Sequence, residues 1–239
     1  MPEIPDSLLA IDIETASPFR SPHEGGFDNT ACFELVAVGL GYQRSPGGPI
    51  ISDVLFRQGG WESSWTAALL SDVIRWCDQF DADALLTYNG QNFDEIHLKH
   101  WAHELTQRGQ LDQGAEAIER LFSTHIDLNN IGITRYAERL ESWRTAIKLE
   151  RLCEWEGIPT SETYYEKYDL EGLLTDAAID EPFVTNAHIG EVLGERFVNA
   201  LETTSNPATG QQELKQLLYD YTIADIDPLF ALANRFRTN

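Results

Sequence analysis

Leu85–Asp94 reads LLTYNGQNFD, and the fold turns on how this stretch is parsed. Ala84 to Tyr88 (ALLTY) is an apolar run of strand length, and Asn89-Gly90 is a turn dipeptide that closes it. A helix is expected from Phe93 to about Leu105, so Asp94 falls at a helix start. Alone, such an aspartate reads equally well as a plain helix cap. Ending a strand-turn-helix unit, it can also point back at the neighbouring strand.

That neighbour is Ser7 to Ile13 (SLLAIDI), a second buried-strand pattern. Asp12 and Glu14 stand two apart at its end, and the period of two places both on one face. Two carboxylates there repel unless a cation sits between them, and hard divalent cations favour oxygen ligands. The pair alone also reads as a solvated strand end, and the same spacing recurs at Asp169 and Glu171.

Tyr221 to Asp225 (YTIAD) supplies the third element, because residues four apart share a helical face. Its Asp can complete a four-carboxylate cage, and its Tyr hydroxyl can hold an attacking water. Tyr165 to Asp169 (YEKYD) competes with it but lacks the apolar helical frame of Leu217, Leu218, Ile223, Ile226, Leu229 and Phe230.

Together AIDIET, TYNGQNFD and YTIAD resemble the three motifs of the DEDD exonuclease superfamily, Tyr subtype. TYNGQNFD is similar to the proofreading exonuclease domain of family-B DNA polymerases and its stand-alone relatives. His125 to Leu128 (HIDL) and KLERLCEWEGIP resemble the family's fifth strand and following helix. The resemblance implies a ribonuclease H-like α/β fold, a mixed five-stranded sheet flanked by helices. It implies two Mg²⁺ or Mn²⁺ ions held by Asp12, Glu14, Asp94 and Asp225, a water oriented by Tyr221, and hydrolysis of single-stranded DNA or RNA from the 3′ end. A proofreading or repair role would require a polymerase or repair partner. A catalytically weak binding module of the same fold, or a ribonuclease or endonuclease, would carry the same cage.

The rest of the chain fits this layout as a single exonuclease domain over residues 1–239. Cys32–Tyr42 and Ile50–Phe56 read as an antiparallel hairpin around RSPGGP. Helices are expected at Glu62–Phe80, Arg135–Trp155, Phe183–Leu201 and Gln212–Arg235, the last interrupted or kinked near Pro228. Residues 15–32 and 160–211 depart most from the family pattern. His97, His100 and His103 read as polar residues on a helix face, not a zinc site. Phe19, Tyr164, Tyr165 and Tyr168 are candidates for base stacking that read more simply as packing residues.

The charge balance is unusual: 39 acidic residues against 17 basic, a formal net charge of −22, with only Lys99, Lys148, Lys167 and Lys215 as lysines. This reads as an acidic surface kept for solubility or as adaptation to molar salt, where the screening length falls to about 3 Å; the spread of acids along the chain favours the second. Such a surface disfavours general polyanion binding at low salt. Arg135, Arg139, Arg144, Lys148 and Arg151 crowd one stretch, but Glu138, Glu141 and Glu150 interleave, as on a salt-laced solvated helix. Cys32, Cys77 and Cys153 match no zinc spacing and suggest a reducing cytoplasm. No signal peptide and no membrane span are read.

Overall fold

In the computed structural model, β1 (Leu8–Ala16) sits at the centre of a five-stranded sheet of order β3-β2-β1-β4-β5. It pairs antiparallel with β2 (Glu34–Gln43), which pairs antiparallel with β3 (Ile50–Phe56). On its other side it runs parallel to β4 (Ala84–Thr87), which runs parallel to β5 (His125–Asp127). The structure describes residues 3–141, 146–170, 173–174, 179, 181–203 and 209–237. Arg144, Glu171 and residues 204–208 of the polar loop lie outside them.

Alternation along β1 decides where the chemistry goes. Leu9, Ile11 and Ile13 face one core layer, with α2 (Ser63–Cys77), α3 (Asp94–Gln107) and α4 (Gly114–Leu121). Leu8 and Ala10 face the other layer, with α5 (Leu128–Arg135), α6 (Leu149–Glu156) and α9 (Thr209–Arg237). Asp12 and Glu14 continue the even-numbered face and so turn toward α9.

Close approach of α9 depends on Gly39, the ladder partner of Asp12. A Cβ there would lie 2.5 Å from Thr222 Cγ2 and 2.9 Å from Ile226 Cγ1. Only a glycine lets the helix settle at this depth, which carries Asp225 over Asp12. Beside Glu14 the β1–β2 register slips, Glu14 pairing with Ala37 and Thr15 with Leu35. The extra residue, Val36, gives its carbonyl to the Arg57 N–H (2.8 Å), and the Leu35 carbonyl accepts from Arg57 Nη1 (3.0 Å). Arg57 is fully buried, and no sequence pattern points to its holding this bulge together.

Several expected elements are corrected. Arg135–Trp155 is not one helix. Asp127 caps α5 by accepting from Asn129 N–H, so helix begins at Leu128, which shortens the expected fifth strand by one residue. After α5 the chain makes a 3₁₀ turn at Ala137–Arg139, and Lys148 is extended before α6. Gly157, in the left-handed region at φ 68°, ends α6 where Gly-Ile-Pro was expected to stop it. Cys32 lies in a 3₁₀ turn and not in β2. The expected helix at Phe183–Leu201 starts later, capped by Thr185; it runs through α7 (Asn186–His188) and a π-helical turn (Ile189–Leu193) into α8 (Gly194–Thr203). α9 passes through Pro228 as one helix, without the expected interruption. α4 was not anticipated, and a short helix, α1 (Pro22–Gly25), lies in the loop after β1. No described helix is long and apolar enough to cross a membrane.

Candidate metal centre

Carboxylate oxygens of Asp12, Glu14 and Asp225 come within 4.8 Å of one another. Among the described residues they are the one such acidic, histidine or cysteine group of three or more. β1 supplies two of them and α9 the third, brought down by Gly39. The competing acid of YEKYD, Asp169, is exposed and follows a 3₁₀ turn, remote from this group.

Asp94 is not the cap of α3 that a bare reading allows. Phe93 occupies the cap position without a side-chain bond, and Asp94 is the first helical residue. β4 ends its pairing with β1 at Ala10, which leaves the Ile13 N–H open on that edge. Asp94 Oδ1 accepts from it at 3.0 Å. Asp94 is not one of the three that meet within 4.8 Å; its charge adds to the repulsion that raises Asp12 and Glu14.

None of the four forms an ion pair with a described Lys, Arg or His. Burial, then repulsion from Glu14, Asp94 and Asp225, holds Asp12 well above the ordinary carboxylate range. Burial and Asp225 raise Glu14 to about 8, against the bond from Thr222 Oγ1 to its Oε1 (3.1 Å). Burial raises Asp94 to about 7, against the Ile13 bond. Burial and the Glu150 charge raise Asp225 to about 7. Buried Glu14 and Asp94 and half-buried Asp12 and Asp225, without a described cationic side chain paired to them, are a donor set suited to a hard divalent cation.

Tyr221 is buried on α9, one turn before Asp225, and its hydroxyl donates to Asn186 Oδ1. Burial pushes this phenol far above its usual value, so it remains a neutral hydrogen-bonding group and not a base. Asn186 and Thr222 were not anticipated from the sequence. Asn186 arrives through the 186–193 turn, which Ser17 N–H anchors by donating to the Gly190 carbonyl (3.0 Å).

Other singled-out residues fall elsewhere. His97 is buried and not a polar-face residue; its ring bonds Thr30 Oγ1 (2.8 Å) and the Phe27 carbonyl (3.1 Å), pinning the loop after β1 to α3. The basic residues make no stripe: Arg135 pairs with Glu156 (2.9 Å), Arg151 with Glu154 (2.6 Å), and Arg139 lies over the Tyr136 and Trp155 rings. Tyr165 bonds His188 and Tyr168 bonds Asp220, whereas Phe19 is 69% exposed. The three cysteines are free and buried.

The raised acids give a pH prediction. Metal-free, the folded chain holds protons from about pH 4 to about pH 8 that the unfolded chain, with carboxylates near about 4, has lost. Stability in EDTA should therefore fall as pH rises from about 4 and level off above about 8, the reverse of a salt-bridged carboxylate. Melting curves in molar KCl, which screens the surface, should show Mg²⁺ restoring far more stability at pH 8.5 than at pH 5.5. Equal Mg²⁺ effects at both pH values would count against a carboxylate metal centre.

No protein-family model and no curated protein matches the chain. Among solved structures it is similar to a family B DNA polymerase from the hyperthermophilic archaeon Pyrobaculum calidifontis, with TM-score 0.53 and 17% identity, over 96% of this chain and 24% of that one. E. coli exonuclease I in complex with an oligonucleotide matches with TM-score 0.42 and 15% identity, over 64% of this chain and 36% of that one. The chain thus spans about a quarter of the polymerase and about a third of the exonuclease I chain. The polymerase likeness is one of fold, and the fold class is α/β, a ribonuclease H-like mixed five-stranded sheet flanked by helices.

Proposed function

We propose that this chain is a metal-dependent 3′→5′ exonuclease of the DEDD superfamily, Tyr subtype, acting as one domain over residues 1–239. The observation that carries the reading is the convergence of Asp12, Glu14 and Asp225 within 4.8 Å, with Asp94 bonded to the same strand and no cationic side chain among the described residues paired to them. The likeness of AIDIET, TYNGQNFD and YTIAD to the proofreading domain of family-B polymerases agrees with the fold likeness to such a polymerase. Asp12, Glu14, Asp94 and Asp225 would hold two Mg²⁺ or Mn²⁺ ions. When bound, two such ions activate the attacking water and neutralise charge on the leaving oxygen. The chain's own part is positional. Thr222 orients Glu14, Asn186 orients the Tyr221 hydroxyl, and Tyr221 orients the water for attack on the terminal phosphodiester.

The substrate is a single-stranded 3′ end of DNA or RNA, and the cellular setting is the cytoplasm, with a polymerase or repair partner. The deciding assay uses end-labelled single- and double-stranded DNA and RNA with Mg²⁺ or Mn²⁺. Ladders that shorten stepwise from the 3′ end support the reading; internal cuts, or no hydrolysis of any substrate, sink it.

The same assay tests salt adaptation. With a net charge of −22, low salt leaves the protein repelling both its substrate and itself. Activity and melting temperature should both rise between about 0.1 M and about 1–2 M KCl as screening shortens to about 3 Å. Flat stability with activity falling steadily would mark the acidic surface as a docking face for a basic partner instead.

A further inference from the structure

We propose that β5 is a positioning strand for Asp94, with His125 and Asp127 clamping the chain on either side of that carboxylate. The inference rests on the metal-centre reading above.

Asp127 is only 4% exposed. Its Oδ1 accepts from Asn129 N–H (3.0 Å) and from Asn89 N–H (2.9 Å), and its Oδ2 accepts from Gln91 N–H (3.1 Å). Capping α5 needs only the first of these. The other two reach across to the turn that delivers Asp94. Asn89 takes a left-handed backbone there, φ 60°, which asparagine adopts more readily than other side-chain-bearing residues, and the bond to Asp127 ties its N–H in that turn. Asn129, also buried, adds a second tie: its Nδ2 donates to Asn89 Oδ1 (3.3 Å) while its Oδ1 accepts from Ile147 N–H (2.9 Å).

His125 works on the other side. Its Nδ1 lies 2.9 Å from Glu95 Oε2 and its Nε2 lies 2.7 Å from Thr87 Oγ1. Facing a carboxylate, Nδ1 carries a proton and donates to Glu95. Glu95 is the residue after Asp94, and Lys99 holds it as well (2.9 Å). Residues 87, 89, 91 and 95 are therefore all fixed by β5 or its extension, and Asp94 lies between the last two. The turn has no slack: a Cβ on Gly90 would sit 2.3 Å from Thr87 Oγ1.

β5 is a three-residue edge strand, and packing it on β4 calls for neither a His nor an Asp. A buried Asp and His are costly unless fully bonded. Here the partners of both are the residues around one carboxylate. Second-sphere groups that orient ligands change metal affinity by about 10–100-fold when removed.

The test titrates Mn²⁺ alone into the protein, reading free Mn²⁺ by electron paramagnetic resonance, for wild type, Asp127→Asn and His125→Ala. Asp127→Asn should weaken Mn²⁺ binding by about 10–100-fold. With a single-stranded oligonucleotide, its kcat should fall and partly recover at high Mn²⁺, while KM for the oligonucleotide stays put. A merely structural role would lower Tm and leave the affinity of the folded protein untouched. Wild-type affinity in both variants, measured well below their Tm, overturns the proposal. If neither variant folds, hydrogen exchange on the wild type decides. Asn89 and Gln91 amides should exchange as slowly as those of β4, and rates of an open turn overturn the clamp. Absence of Mn²⁺ binding by the wild type overturns the metal-centre reading itself, and the clamp with it.

Discussion

Asp12→Asn should reduce kcat by about a thousandfold or more, the equivalent of at least about 4 kcal/mol at roughly 1.4 kcal/mol per decade. Asp12 lies at the centre of the carboxylate group, feeling Glu14, Asp94 and Asp225 together. The metal-supported part of phosphodiester hydrolysis amounts to several kcal/mol of transition-state stabilisation. Losing one charged ligand from the proposed four-carboxylate site would remove much of that. Asp94→Ala should act similarly and also release the Ile13 N–H. Unfolding does not explain the expected loss. Asparagine replaces a buried acid surrounded by like charges, so the metal-free variant at pH 8 should melt at or above the wild-type temperature. Chelation should reproduce the phenotype in the wild type. Activity that survives EDTA, or an Asp12→Asn enzyme within tenfold of wild type, would remove the metal centre from the mechanism.

What the sequence made legible follows from the range of the forces involved. Alternation along Leu8, Ala10, Asp12 and Glu14 against Leu9, Ile11 and Ile13 is a local property, and it placed both acids on the α9 face. The strand-turn-helix reading of TYNGQNFD held because Asn89 takes the left-handed conformation that the Asn-Gly pair announces. The apolar frame around Tyr221 separated it from Tyr165, whose hydroxyl instead bonds His188. Non-local bonds were invisible. Periodicity from Arg135 to Trp155 suggested one helix, yet Asn129 captures Ile147 N–H and Lys148 stays extended, so the chain breaks between α5 and α6. Thr222 and Asn186 carry no motif; they matter because Gly39 admits α9 and the 186–193 turn folds over the end of β1. Arg57 is a buried cation whose partners are mostly backbone carbonyls, and no spacing rule points to such a site.

Tyr221→Phe separates orientation of the water from formation of the cage. The ring keeps its place among Leu217, Leu218 and the other apolar residues of that layer, and only the hydroxyl is lost. Because burial drives the Tyr221 phenol far above its usual value, the hydroxyl stays protonated at any working pH. Its contribution is then a hydrogen bond, directed by Asn186 on one side and facing Asp225 on the other. Positioned groups of this kind contribute about 10²–10⁴-fold, so kcat should fall by roughly 10²-fold. KM should change little, since the ring and its packing survive. Mn²⁺ affinity should also survive, because no carboxylate is removed. Asn186→Ala should reproduce a milder form of the same defect, leaving the hydroxyl present but undirected. Tyr165→Phe is the control: it removes a hydroxyl bonded to His188 and should leave kcat near the wild-type value. A silent Tyr221→Phe beside a damaging Tyr165→Phe would mean that the water is held from the 160–188 segment and not from α9.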